Sequence, residues 1–164
     1  MDPTPTQLEQ LYNEIGPSLL GYFRRQPALA SAAEDLLQDT FVRALTHPDR
    51  LRASTSQRAY LFGIARHVGI DALRRQRTAG TLPADAPAAT ETPDGRLEPM
   101  RRAISRLPET QRETLILKLQ QDLSYAEIAE VLDVPVGTVR SRLHLALLHL
   151  RRVLACIHHK TDED

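Results

Sequence analysis

Arginines gather in two places along this chain, each time among side chains able to bond bases or phosphates. Between Gly137 and Leu154 stand Arg140, Arg142, Arg151 and Arg152 with no acid among them, interleaved with Thr138, Ser141 and His144. Between Arg66 and Arg77 stand Arg66, Arg74, Arg75 and Arg77, opposed only by Asp71. A guanidinium pairs bidentately with guanine or phosphate, and hydroxyls bond either, so this is the chemistry of nucleic-acid recognition. Over the whole chain 21 Lys and Arg balance 21 Asp and Glu. The inference therefore rests on where the charges lie, not on their sum.

No comparable pattern supports bond-making. The chain has no phosphate loop, nucleophile elbow or paired-histidine zinc motif, so an enzyme is not expected. Cys156, His158 and His159 supply few ligands beside a polar tail, and neither a metal nor a cofactor is expected. Cys156 is the only cysteine, which rules out an intramolecular disulfide. No apolar run is long enough to span a bilayer, and the opening residues lack the basic and apolar regions of a signal peptide. The expectation is a cytoplasmic protein without membrane insertion.

The elements that must carry these arginines are helical. Hydrophobic residues are 41% and aromatic residues 4% of the chain, which suits a helical protein better than a sandwich or barrel. Apolar residues recur at spacings of three and four on both sides of a stretch rich in proline, alanine and threonine. The reading is all-α: two small helical domains over residues 6–78 and 98–157, joined by a flexible linker over 79–97. In the first lobe the stripe from Leu8 to Phe23 is expected to kink or restart at Gly16-Pro17. Ser31 and Glu34 form a candidate capping box for the next helix. A polar loop is expected from Asp49 to Ser56, and then a helix from about Gln57 to Gln76.

The second lobe has sharper punctuation. Pro108 suits a first helical turn, and Ser124 with Glu127 is a second candidate capping box opening a short helix through Ile128, Ala129, Val131 and Leu132. A turn at Asp133-Val134-Pro135 leads into a last helix with the apolar stripe Val139, Leu143, Ala146, Leu147, Leu150 and Leu154. This is a helix-turn-helix: Ala129 is small enough for the crossing, and Asp133 tolerates a left-handed turn. The opposite side of the last helix carries Thr138, Arg140, Ser141, His144 and Leu145, with Arg142 nearer the edge, a face suited to a major groove. The plainer alternative is a solvated arginine face on an ordinary bundle.

At these residues a family resemblance becomes plain. Leu107-Pro108 through Leu115, then Leu123 through Ala129, then Val136 through Leu143 resemble the C-terminal domain of extracytoplasmic-function sigma factors, the group 4 members of the sigma-70 family. The resemblance implies that this domain reads the −35 promoter element through Thr138, Arg140, Ser141, Arg142 and His144 and contacts the polymerase flap. Many members carry a second arginine near the position of Leu145, from which this chain departs.

The first lobe extends the resemblance. Glu34 to Phe41 is similar to the sigma stretch that docks on the clamp helices of the largest polymerase subunit, implying core-binding roles for Asp35, Gln38, Asp39 and Arg43. Arg58 to Arg75 is similar to the promoter-melting helix. That implies Tyr60, Phe62 and His67 as rings for unstacked bases and Arg66, Arg74, Arg75 and Arg77 as phosphate clamps at the −10 element. Members commonly have tryptophan where Tyr60 stands and asparagine where His67 stands. Core packing is an equally good reading of Phe62, and the Asp49 to Ser56 loop is the expected place for a base pocket. The resemblance thus implies an alternative sigma factor whose partners are core RNA polymerase, promoter DNA and an anti-sigma factor. The competing reading is an autonomous helix-turn-helix regulator whose first lobe senses a ligand or dimerises.

Overall fold

Every regular element among the described residues is a helix, as the spacing of apolar residues requires. The structure is a computed structural model that describes the backbone of residues 5–80 and 98–161 and the side chains of residues 9–80 and 98–155. The chain divides into two compact units, Met1–Thr90 and Glu91–Asp164. Residues 81–97 of the expected linker, the side chain of Leu8 and those of Cys156, His158 and His159 lie outside the described residues.

The amino-terminal unit contains α1 (Pro5–Arg24), a single 3-10 turn (Ala30–Ala32), α2 (Ala33–Leu45), α3 (Pro48–Ala53) and α4 (Gln57–Thr78). α1 continues through Pro17 instead of restarting. Its buried residues Ile15, Leu19, Tyr22 and Phe23 lie on both sides of the proline, so packing holds the helix together across the missing N–H donor. The unit's core joins these to Leu29, Leu36, Leu37, Phe41, Leu51, Leu61, Phe62, Ala65 and Val68. At Gly69 a Cβ would stand 3.2 Å from Leu29 Cδ1, so the missing side chain is what admits Leu29 against α4. Gln76 Nε2 donates to the Ala28 carbonyl at 2.9 Å and ties the far end of α4 to the same corner.

Two local expectations are corrected here. Ser31 does not cap α2: it lies inside the 3-10 turn, the N-cap is Ala32 without a side-chain bond, and Glu34 pairs instead with Arg24 at 3.1 Å. The segment Asp49 to Ser56 is mostly helix, not loop. Pro48 sits at the first helical turn, Asp49 pairs with Arg52 at 3.6 Å, and buried Leu51 anchors α3 to the core. Only Ser54 to Ser56 remain as a connection, and the Ser56 hydroxyl accepts the Ala59 N–H to begin α4.

The carboxy-terminal unit contains α5 (Glu98–Ser105), α6 (Glu109–Gln121), α7 (Tyr125–Leu132) and α8 (Val136–Thr161). α5 packs against α8 and buries Ala103; the sequence reading did not resolve it as a separate helix. Pro108 is the N-cap of α6, one residue outside the first turn where it was expected. Ser124 and Glu127 form the full capping box, with Glu127 N–H donating to Ser124 Oγ at 3.2 Å and Ser124 N–H to Glu127 Oε2 at 2.8 Å. Asp133 ends α7 in the left-handed region, φ 52° and ψ 51°, as its place in the turn requires. Ile128, Leu132, Val139, Leu143, Ala146 and Leu150 are buried, whereas Leu147 is 44% exposed and does not belong to the stripe. No described helix is long and apolar enough to cross a membrane.

Candidate nucleic-acid and docking interfaces

The start of α8 is aimed by three features of its approach. The capping box fixes where α7 begins, Asp133 reverses the chain, and Val134 N–H donates back to the Ala129 carbonyl at 3.1 Å. Buried Val139 and Leu143 then seat α8, which turns Arg140, Ser141, His144 and Leu145 to solvent and leaves Thr138 and Arg142 half-buried at the flanks. All five predicted residues lie within two turns of one helix. Neither Arg140 nor Arg142 forms an ion pair with another described residue, so both guanidinium forks are available. Ser141 Oγ donates to the Thr138 carbonyl at 3.0 Å. With its proton so committed, that hydroxyl is left as an acceptor, matched to an amino group of a base more than to a phosphate.

In the amino-terminal unit, Tyr60, His67 and Arg74 are spaced by two helical turns and share one stripe of α4. His67 is exposed, and its Nδ1 donates to the Gly63 carbonyl at 2.8 Å. Arg74, Arg75 and Arg77 are exposed near the end of the helix, and Arg75 Nε reaches the Asp71 carbonyl at 3.4 Å. Arg66 is half-buried on the flank. Of the two readings left open for Phe62, the burial supports core packing. Phe62 faces away from this stripe, has no exposed surface, and meets Tyr22 edge-on at 5.8 Å with the Arg58 guanidinium 5.5 Å from its ring centre. Its neighbour Leu61 is equally buried, so α4 is packed on two sides there, which simple alternation of faces does not reveal. The expected base-pocket loop is reduced by α3 to Ser54, Thr55 and Ser56, of which Ser54 bonds the Leu51 carbonyl at 2.7 Å.

The polar side of α2 presents Asp35 and Gln38 to solvent, with Asp39 and Arg43 half-buried beside them. Arg43 bridges two acids, one on its own helix and one on α4. It pairs with Asp39 at 3.1 Å within α2 and with Asp71 of α4 at 3.1 Å. These hydrogen bonds, first to Asp39 and then to Asp71, raise its already high pKa further against a small desolvation effect. One residue escaped the sequence reading: Val42, 59% exposed, lies on the side of Asp35, Gln38 and Asp39. Its signal was present as an apolar residue outside the stripe of Leu36, Leu37, Phe41 and Ala44.

Comparison with known proteins gives each unit a counterpart. Residues 11–79 match the family model for Sigma-70 region 2, and residues 97–150 match that for Sigma-70, region 4. The chain is 32% identical over 156 residues to RNA polymerase sigma factor YlaC of Bacillus subtilis, covering 88% of this chain and 90% of that one. It is also 32% identical over 155 residues to the ECF RNA polymerase sigma factor RpoE of Cereibacter sphaeroides, covering 87% and 83%. Among solved structures it is similar to the sigma factor RpoE of Bartonella quintana, crystallised with the anti-sigma factor NepR. That match has a TM-score of 0.70 at 27% identity, over 92% of this chain and 98% of the other.

Proposed function

Since this chain belongs to the extracytoplasmic-function sigma factors of the sigma-70 family, and so binds core RNA polymerase and directs promoter-specific initiation, we propose how its residues divide that work. Residues 6–78 form the unit that docks on the polymerase clamp helices and handles the −10 element. Residues 98–157 form the unit that reads the −35 element and meets the flap, and 79–97 tether the two. The observation that carries this division is the order of the matches in one chain, region 2 before region 4, with a basic helical face in each.

On α2, Asp35, Gln38 and Asp39 meet a basic partner helix, with Val42 covered in the contact. Arg43 belongs to this set as the residue that holds Asp39 in place and ties α2 to the melting helix. On α4, Tyr60 and His67 receive bases while Arg66, Arg74, Arg75 and Arg77 hold phosphates. On α8, Arg140 and Arg142 read base edges or grip the backbone, and Thr138, Ser141 and His144 complete the contact. The work is binding rather than bond-making, in the cytoplasm where the polymerase is. An anti-sigma factor is the expected regulator, in keeping with the similarity to a sigma factor crystallised with one. The autonomous-regulator reading needs a first lobe that senses or dimerises, and the match of residues 11–79 to region 2 leaves it without one.

The test is reconstitution. Core polymerase supplied with this chain is expected to initiate at a defined set of genomic sites, mapped by sequencing RNA 5′ ends, that share two upstream boxes. Failure to initiate at any site, with both units folded by circular dichroism, would overturn the assignment of work. Tight, specific duplex binding by the chain alone, without transcription when core is added, would favour the autonomous regulator.

A further inference from the structure

The bond between His67 and Gly63 does more than hold a ring in place. A carbonyl oxygen only accepts, so the 2.8 Å contact requires that Nδ1 carry the imidazole proton. In the neutral ring the other nitrogen, Nε2, is then a bare acceptor on the far edge of the ring. His67 is exposed, and no side chain outside Gly63's immediate chain neighbours lies within 4 Å of the point where a Cβ on Gly63 would stand, so the surface beside the ring is open. A base edge approaching along the Tyr60, His67 and Arg74 stripe meets one cation, Arg74, that suits a phosphate and, at His67, a single acceptor that does not.

We propose that His67 is a specificity-determining residue that selects a base bearing an exocyclic amino group, adenine or cytosine, at the position of the −10 element it faces. On the major-groove edge, adenine and cytosine present N6 and N4 donors where guanine and thymine present O6 and O4 acceptors. Nε2 bonds the first pair and sets lone pair against lone pair with the second. This proposal rests on the reading that the α4 stripe carrying Tyr60, His67 and Arg74 meets the −10 element, and it adds which bases are taken there. Asparagine at this position carries a donor and an acceptor together and so satisfies either kind of base edge. The departure at His67 therefore narrows a choice that an amide leaves open.

The experiment uses the full chain with core polymerase. Open-complex formation is measured on a promoter from the mapped set, with each of the four bases placed in turn at every −10 position of the non-template strand. One further template carries purine in place of adenine, which removes only the amino group. At one position the wild type is expected to prefer adenine or cytosine over guanine or thymine by about five-fold, the effect of one hydrogen bond. Purine should lose that preference, and His67→Asn should flatten the ratio between bases at that position alone. An unchanged ratio in His67→Asn, or an equal loss on all four bases in His67→Ala as a phosphate contact would give, overturns the proposal. Tyr60→Ala and Arg74→Ala separate it from its premise. If both open every template as the wild type does, the stripe does not meet the −10 element and both readings fall. If both lose opening while the His67→Asn ratio is unchanged, only the base-selection proposal falls.

Discussion

Arg43 offers a measurable link between the docking helix and the melting helix. Replacing it with methionine keeps an unbranched stem of similar helix propensity and removes the charge. At the observed 3.1 Å to Asp71, a pair of unit charges attracts by about 1.3 kcal/mol in a fully aqueous dielectric and about 5 kcal/mol at an effective dielectric of 20. The Arg43 and Asp71 side chains are 41% and 46% exposed, which places the pair toward the aqueous end. Ordering two side chains costs part of that gain, so the coupling between Arg43 and Asp71 should be about 0.5–1 kcal/mol. The bond to Asp39 lies within α2 with the acid four residues before the base, the favourable order, and adds roughly 0.3–0.5 kcal/mol. Arg43→Met should therefore lower the stability of the amino-terminal unit by about 0.8–1.5 kcal/mol. The assay is amide hydrogen exchange in peptides covering α2 and α4, because bulk unfolding of a two-unit chain mixes two transitions. Running Arg43→Met, Asp71→Asn and the double variant as a cycle isolates the cross-helix term. A coupling of zero at low salt, or one that persists undiminished in 1 M salt, would refute the electrostatic account, since exposed pairs are screened there.

Other consequences are as direct. Phe62→Ala should cost the amino-terminal unit about 3–5 kcal/mol, measured by the same exchange experiment, because a fully buried ring is removed; a loss of promoter opening with undiminished stability would return Phe62 to the DNA-facing set. Ser124→Ala should lower the stability of the carboxy-terminal unit by roughly 1 kcal/mol through loss of the α7 cap, seen as faster exchange in α7, and an unchanged rate would show the capping box to be energetically idle. Arg140→Ala is expected to weaken binding of the holoenzyme to the −35 element by about 1–3 kcal/mol and to relax base preference at one position. A loss of equal size on every −35 sequence would assign Arg140 to the backbone instead.

Much of this protein is written in local order along the chain. Helical spacing, the Ser124 and Glu127 capping box and a turn at Asp133 involve residues that are neighbours in sequence, so the helix-turn-helix and the face carrying Arg140 and Ser141 were legible without a fold. The two arginine-rich stretches and the all-helical class were legible for the same reason. Tertiary structure decided what depends on residues distant in sequence. Ser31 was spelled as a cap, yet Glu34 went to Arg24 across the corner and the box did not form. Asp49 to Arg52 read as polar loop, but burial of Leu51 against the core made it a helix. Phe62 went inside because α4 is covered on more than one side, and Arg43 was drawn to Asp71, a partner on another helix. The physical reason is common to all four cases. A hydrogen bond between neighbours is specified by spacing alone, whereas burial and cross-helix pairing exist only once the chain has brought separate helices together.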